Sequence, residues 1–220
     1  MDGISVILVP VGAESRAVKQ ALKTVQNAPQ VVEIPAGPQA VTRFLQTWDH
    51  PQIFQSGGVL LLGLGGSLSP ALGIGDGVLV EQILAADSAE TYACDRTLTA
   101  ELAAQLGMPT AVGVTCDRVI TTAVEKRALR DRYGADVVDM EAAAILRELP
   151  DCRMTILRVI SDDCHHDLPD IAGAIGVDGS IKVLPMALSF LKHPVAALRL
   201  IRSALRGLKC LEFLTRRLYE

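Results

Sequence analysis

A chain of 220 residues, half of them hydrophobic and 21% of them charged, has the composition of a folded globular protein rather than a disordered one. Its longest apolar runs are much shorter than the roughly 20 residues of a membrane-spanning helix, and no basic segment precedes the first one, as a secretory signal would require. With a formal net charge of −4 and no linker or repeat, it is expected to form one cytoplasmic domain over residues 1–220 without a nucleic-acid partner.

Short apolar and β-branched runs alternate with segments of helical periodicity along the chain. Strands are predicted over residues 4–11, 59–62, 78–84, 110–115, 137–139 and 155–160. Helices are predicted over residues 14–26, 98–106, 125–133 and 141–149, and in two segments after Ile181. This alternation predicts an α/β fold with a central mixed, largely parallel sheet flanked by helices.

The ends of four predicted strands carry polar groups or glycines, and ligands of open α/β sheets bind beyond the carboxyl ends of the strands. Glu14 follows the first strand, and the glycine-rich stretch 63–76 follows a later one. Each group also has a structural explanation, because acidic residues stabilise a helix N-terminus and glycines permit tight turns. The remaining polar groups are Asp139 and Glu141 on either side of Met140, and Ser161 beside Asp162.

Three motifs in this order, "GLGGSLSPALGIGD", "VVDMEAAAI" and "RVISD", make the chain resemble the nucleoside phosphorylase superfamily, which includes the methylthioadenosine/S-adenosylhomocysteine nucleosidases. The resemblance runs from the first strand to about residue 167. Beyond it, "DLPDIAGAIGVDGS" and "HPVAALRLIRSALRGL" look most like the hopanoid-associated phosphorylase branch, which handles the adenosyl group of adenosylhopane. The resemblance therefore implies an enzyme that cleaves the N-glycosidic bond of a purine nucleoside, or of an adenosyl lipid.

The resemblance assigns roles to five of the strand-end residues. Asp162 matches the acid that protonates purine N7, and Ser161 lies beside it as the residue that orients it. Glu141 matches the glutamate that binds the ribose hydroxyls, with Met140 against the sugar. Glu14 matches the glutamate that activates water in the nucleosidases. Such groups suit a reaction in which positive charge develops on the sugar and negative charge on the departing purine.

The glycine motif and the segment "CDRVITT" supply the remaining predicted contacts to the substrate. Leu64 stands where relatives carry a serine near the nucleophile. Arg16 lies in the first helical turn and could bind an anion, so phosphate remains an alternative to water as the nucleophile. A purine between Val119 and Ile120 is predicted to stack less strongly than on the phenylalanine that relatives often carry at position 119. The predicted substrate-binding residues are Gly63, Leu64, Gly65, Gly66, Val119, Ile120, Met140, Glu141 and Ser161.

No metal or redox cofactor is predicted. The segment "DDCHHD", residues 162–167, concentrates ligand types, but neighbouring residues of one loop rarely all face one ion. Five scattered cysteines without a CxxC pair favour reduced thiols over a disulfide or zinc framework. The family implies a homo-oligomer, and the alternative to an enzyme is a nucleoside-binding or storage protein of the same fold.

The C-terminal region, residues 192–220, is basic and amphipathic. It carries a net charge of +5, whereas the rest of the chain carries −9. Leu198, Ile201, Leu205 and Leu208 recur at helical spacing beside a stripe of Arg199, Arg202, Arg206 and Lys209. We expect the apolar stripe to pack on the protein body or on a partner subunit. The alternative hypothesis is weak, salt-sensitive contact with an anionic membrane, at the inner membrane face.

Overall fold

The computed structural model describes residues 3–48, 57–88, 90–169 and 190–220, which form eight strands and six helices. The strands are β1 (Ile4–Pro10), β2 (Gln30–Ile34), β3 (Gly58–Ser67), β4 (Gly77–Ala85), β5 (Thr91–Ala93), β6 (Thr110–Thr115), β7 (Val137–Asp139) and β8 (Met154–Asp162). The helices are α1 (Ala13–Leu22), α2 (Pro38–Thr47), α3 (Arg96–Leu106), α4 (Ala123–Tyr133), α5 (Ala142–Glu148) and α6 (Pro194–Arg217). The earlier of the two helices predicted after Ile181 falls mostly outside the described residues.

All eight strands belong to one sheet in the order β2-β1-β3-β7-β6-β4-β5, and β8 pairs with both β3 and β4. The pairings β3–β8, β8–β4, β4–β6, β6–β7 and β7–β3 close five strands into a ring, from which β1, β2 and β5 extend. Five strand pairs are parallel and three are antiparallel. The predicted α/β class with a mixed, largely parallel sheet is confirmed.

Helices cover the sheet from two sides because its strands are apolar on both faces, as in buried parallel sheets. On one side, Val41 and Leu45 of α2 and Ile145 of α5 join the core. On the other, α1, α3 and α6 pack over a second core that includes Leu102 and Leu211. Within the described part of the chain, no helix is long and apolar enough to cross a membrane.

Five elements differ clearly from the sequence-based expectation. The prediction missed β2, β5 and α2, and α1 ends at Leu22 rather than extending to residue 26. β2 and β5 have only five and three residues, too few for an alternating pattern to stand out. β3 continues to Ser67, so Gly63, Gly65 and Gly66 belong to a strand. The tight turn that the glycine-rich stretch suggested is therefore wrong for these three residues.

Of the apolar stripe in the C-terminal helix, Leu208 packs on the protein body as expected, and contact of the stripe with a partner subunit stays a prediction. The buried residues of α6 are Ala197, Ser203, Gly207, Leu211, Leu214 and Thr215. Leu198, Ile201 and Leu205 are instead 49%, 43% and 54% exposed. Small residues let the helix approach closely, since a Cβ on Gly207 would lie 3.1 Å from the Leu64 side chain.

Candidate active site

A cavity of about 260 Å³ opens where β1, β3, β7 and β8 end, and it gathers ten of the eleven predicted site residues. The register of the sheet explains this arrangement, since Gly66 pairs with Asp162 on one side and with Val138 on the other. The prediction missed Pro10, Ala36, Arg118, Val138 and Asp139 as parts of the wall. The predicted residues in the wall are Glu14, Leu64, Gly65, Gly66, Val119, Ile120, Met140, Glu141, Ser161 and Asp162.

Gly63 is the one predicted residue that does not line the cavity. It lies behind the wall, where a Cβ would come within 2.6 Å of Nη1 of Arg158 and 2.8 Å of Oε1 of Glu14. A Cβ on Gly66 would similarly lie 3.0 Å from Oδ2 of Asp162. These glycines therefore serve close packing inside a strand, and not the positive φ that a tight turn demands.

Glu14 stands in the first turn of α1 and faces the cavity across β3. Its Oε1 accepts a hydrogen bond of 2.6 Å from the backbone N–H of Leu64. Desolvation by the surrounding protein raises the pKa of the carboxyl from 4.5 to about 7, although the side chain is partly exposed, and the nearby Glu141 charge adds to the increase. The Leu64 N–H and the Arg158 guanidinium act in the opposite direction. A carboxyl with a pKa near 7 is suited to accept a proton at neutral pH.

Leu64 contributes to this site through its backbone, while its side chain packs toward Gly207 of α6. The departure from the serine of relatives therefore removes a hydroxyl but leaves a backbone N–H that holds Glu14. Arg16, which the sequence left open as a phosphate ligand, is exposed on α1 and does not line the cavity.

Arg158 in β8 is a functional candidate that the sequence reasoning did not single out. Its side chain is 1% exposed and forms an ion pair with Asp139, and its Nη2 lies 3.5 Å from Oε2 of Glu141. Among the described residues, Nε and Nη1 have no hydrogen-bond partner. The signal available in the sequence was a charged residue inside an apolar strand, since a buried charge is costly unless it is paired.

Glu141 lies at the N-terminus of α5 and is 6% exposed. Its Oε1 accepts a hydrogen bond of 3.0 Å from the N–H of Gly37, which precedes α2. Burial raises the pKa of its carboxyl, the Arg158 charge opposes that shift, and the Asp139 charge adds to it. Asp139 accepts hydrogen bonds from Thr115 and from the Ala142 N–H of α5, in addition to its ion pair with Arg158. The contact of Asp139 with the N-terminus of α5 is thus one of three.

Asp162 stands at the end of β8 with both carboxylate oxygens engaged. Ser161 Oγ donates to Oδ1 at 2.7 Å, and Nζ of Lys126 forms an ion pair with Oδ2. Lys126, in α4, is fully buried and also donates to the carbonyl of Asp163 at 2.6 Å. The prediction missed Lys126, because a lysine inside "VEKRALRDR" cannot be distinguished by pattern from its solvated neighbours.

Apart from Arg118, which is ion-paired with Glu125, the rest of the wall is apolar or weakly polar. Val119 and Ile120 come from the loop before α4, and Ile120 is 5% exposed and belongs to a buried cluster. Met140 lines the cavity beside Glu141, with its methyl group 3.9 Å from where a Cβ of Gly37 would lie. An apolar surface next to clustered carboxyls suits a ligand that has an aromatic part and a hydroxylated part.

The residues of "DDCHHD" point in different directions. Asp163 pairs with His166, and Asp167 accepts from the Ala123 N–H. In the part of the chain that the structure describes, no group of three or more His, Cys, Asp or Glu is placed to hold a metal ion. The five cysteines are free thiols.

Comparison with solved structures defines the class of fold. The chain is similar to 5'-methylthioadenosine/S-adenosylhomocysteine nucleosidase from Helicobacter pylori with butyl-thio-DADMe-Immucillin-A, with a TM-score of 0.66 and 19% identity over 97% of both chains. It is similar to the same enzyme from Neisseria meningitidis in complex with methylthio-immucillin-A, with a TM-score of 0.65 and 16% identity over 98% of this chain and 99% of that one. The futalosine hydrolase of Helicobacter pylori strain 26695 gives a TM-score of 0.62 and 18% identity over 93% and 98%.

Sequence comparison then gives the family. The model of the phosphorylase superfamily matches residues 37–173, so the chain belongs to the phosphorylase superfamily. A curated relative, the futalosine hydrolase of Thermus thermophilus, is 35% identical over 40% of this chain and 48% of that protein. The chain thus spans about half the length of the curated relative it matches.

Proposed function

We propose that the chain is an enzyme that hydrolyses the N-glycosidic bond of a purine nucleoside, with adenine as the departing base. The observation that carries the proposal is the joint presence of Glu14, Glu141 and Asp162 in the wall of one cavity, beside an apolar surface. The named relatives, a futalosine hydrolase and methylthioadenosine/S-adenosylhomocysteine nucleosidases, support this class of reaction.

The charge of the site favours a cationic sugar. Four carboxyls, those of Glu14, Asp139, Glu141 and Asp162, line the cavity. Among the described residues, Lys126 and Arg158 are buried beside them, and Arg118 belongs to the wall. Such an excess of acid stabilises the positive charge that develops on the sugar as the glycosidic bond breaks. Arg118, the one cation among the described wall residues, is ion-paired with Glu125 and so is not free to bind phosphate, which supports water as the nucleophile.

In the proposed reaction, Glu14 accepts a proton from the attacking water. Its pKa of about 7 leaves a substantial fraction of the carboxyl ionised at neutral pH, and the Leu64 N–H fixes its orientation. Glu141 accepts hydrogen bonds from the ribose hydroxyls, and Gly37 and Arg158 hold its carboxylate in place. Met140, which lines the same cavity as Glu14 and Glu141, contacts the sugar in this proposal.

At the other end of the proposed reaction, the Asp162 carboxylate takes up a proton from the buffer and donates it to N7 of the departing purine between Val119 and Ile120. Ser161 and Lys126 fix the carboxyl on both oxygens. Lys126 acts as a positioning residue, because its ammonium stabilises the carboxylate that forms when Asp162 gives up its proton. We retain from the sequence an adenosyl lipid of the adenosylhopane type as a candidate substrate, together with a cytoplasmic location and a homo-oligomeric state.

The test is a panel of adenosine, methylthioadenosine, S-adenosylhomocysteine and an adenosylhopane analogue, each incubated with and without phosphate. The proposal expects free adenine and free sugar from at least one of them at the same rate in both buffers. A ribose 1-phosphate product that forms only with phosphate would contradict the role of Glu14. A stoichiometric complex without adenine release over hours would instead identify a nucleoside-binding protein.

A further inference from the structure

One face of α6 stays uncovered by the described residues and combines large apolar side chains with unpaired cations. We call it the α6 outer face. Val195 is 72% exposed, and Leu198, Ile201 and Leu205 are each between 43% and 54% exposed. These side chains repeat at intervals of three and four residues, so they form one stripe along the helix. The cations that flank this stripe are Arg199, Arg202, Arg206 and Lys209.

The cations of the α6 outer face are available to an external partner. Among the described residues, none of the four has an ion-pair partner, whereas Arg216 near the end of the same helix pairs with Glu212. Arg199, Arg202 and Arg206 lie together in a groove of about 370 Å³, which Ile74 closes from the opposite side. Three guanidinium groups around a groove with an apolar floor are suited to bind phosphate groups next to hydrocarbon.

We propose that the α6 outer face docks on an anionic phospholipid surface, with α6 lying in the plane of the interface. A bilayer of this kind presents phosphate groups at the depth of the arginines and acyl chains at the depth of Leu198 and Leu205. A second copy of this chain fits less well, because α6 carries no acidic residue before Glu212 and two such faces would bring eight cations together. A nucleic acid would leave the apolar stripe in water.

Docking in this manner would bring the membrane surface close to the candidate active site. The first turn of α6 forms one wall of a second cavity with His165, His166 and Asp167, in the loop that follows Asp162. The proposal itself does not depend on the reaction, since it rests on the exposure and charge of α6.

The experiment is co-sedimentation of the full chain with vesicles of phosphatidylglycerol and phosphatidylcholine, and with vesicles of phosphatidylcholine alone. We expect binding to the anionic vesicles at low salt, and its loss at high salt and without phosphatidylglycerol. In a variant with glutamine at Arg199, Arg202, Arg206 and Lys209, the partition coefficient should fall by about 100-fold or more, on the basis of about fivefold for each basic residue near the surface.

A matched control removes the same charge elsewhere. Lys23, Arg96, Arg127 and Arg132 are exposed outside α6, and their replacement by glutamine should leave most of the binding intact. A third variant, with Leu198→Gln and Leu205→Gln, should weaken binding while all four cations remain. Both sites are exposed, so the fold should tolerate the change.

Three outcomes would overturn the proposal. The first is an absence of binding at low salt, and the second is an equal loss in the α6 variant and in the charge-matched control. The third is a smaller oligomer after Leu198→Gln and Leu205→Gln, measured by light scattering, without any vesicle binding by the unmodified chain. That last result would assign the α6 outer face to contact between copies.

Discussion

Replacement of Glu14 by glutamine should change how stability depends on pH. The pKa of this carboxyl is about 7 in the folded protein, against 4.5 for an ordinary glutamate. At about 1.4 kcal/mol for each pH unit, the difference corresponds to about 3 kcal/mol, and we take this as an upper value because the side chain is partly exposed.

The direction follows from which state ionises first. Below pH 4.5 the carboxyl is protonated in both states and contributes nothing to the pH dependence. As the pH rises from 4.5 to 7, the unfolded chain loses this proton before the folded protein does, so the free energy of unfolding falls. Above pH 7 the full cost is present. Glu14→Gln removes it, because the amide oxygen can still accept the Leu64 N–H without carrying a charge.

Thermal unfolding between pH 4.5 and 8 measures this difference. The Tm of Glu14→Gln minus that of the unmodified protein should be small at pH 4.5 and should increase to roughly 6–12 °C at pH 8, from about 2–4 °C for each kcal/mol in a chain of this size. Glu101→Gln, at an exposed position of α3, controls for the loss of one charge. A Tm difference that does not vary with pH would show that Glu14 is not desolvated and would refute the reasoning.

The same variant tests the proposed chemistry. As Glu14 ionises, kcat/KM of the unmodified protein should increase through about pH 7. In Glu14→Gln, that acidic limb should disappear and kcat should fall by about 100-fold or more. An unchanged limb in the variant would assign the titration to another group.

Three further predictions concern the sugar and base ends of the site. Asp162→Asn should lower turnover by about 100-fold or more. In an assay of substrates with different bases, the loss should be smallest for good leaving groups, because they need little protonation. An equal loss on all of them would exclude the acid role. Because this change leaves the buried Lys126 without its counter-ion, its Tm should also fall, and Lys126→Met in the same chain should restore part of it. Glu141→Gln should slow ribosides more than 2'-deoxyribosides, since the lost contact is to a sugar hydroxyl, and equal losses would argue against that contact. Lys126→Met alone should lower kcat by about 10-fold or more on adenine nucleosides, whereas Lys126→Arg should retain more activity. An unchanged kcat in Lys126→Met would show that Lys126 has no role in the reaction.

The sequence predicted the central strands well because they are short, apolar and buried. β6 and β7 have the predicted bounds, and β4 and β8 extend them by one or two residues. The edge elements β2 and β5 and the helix α2 were missed because their patterns are weak and their structure depends on neighbours. In α2, the segment "PQAVTRFLQT" has a helical pattern, but the glycine at position 37 and the proline at position 38 resemble a loop as much as a helix start.

In the site, too, residues marked by a local sequence pattern were predicted, and residues defined by contacts between distant parts of the chain were missed. Glu14, Glu141 and Asp162 stand at strand ends, where a sequence pattern with known chemistry marks them. Arg158 contacts Asp139, which is 19 positions away along the chain, and Lys126 contacts Asp162, which is 36 positions away. Local pattern carries no sign of such pairings, because the register of the sheet and the packing of α4 create them.

The most direct test of the central claim is the fate of labelled water. The substrate of the panel that releases adenine fastest is cleaved in phosphate-free buffer made with ¹⁸O-water. The sugar is reduced with borohydride at once, before its C1 oxygen exchanges with solvent, and is then analysed by mass spectrometry beside unlabelled free sugar treated in the same way. We predict one ¹⁸O atom at C1 of the free sugar, together with one equivalent of adenine, and the loss of both products in Glu14→Gln. Adenine that appears only after phosphate is added, or a sugar without the label, would contradict the account.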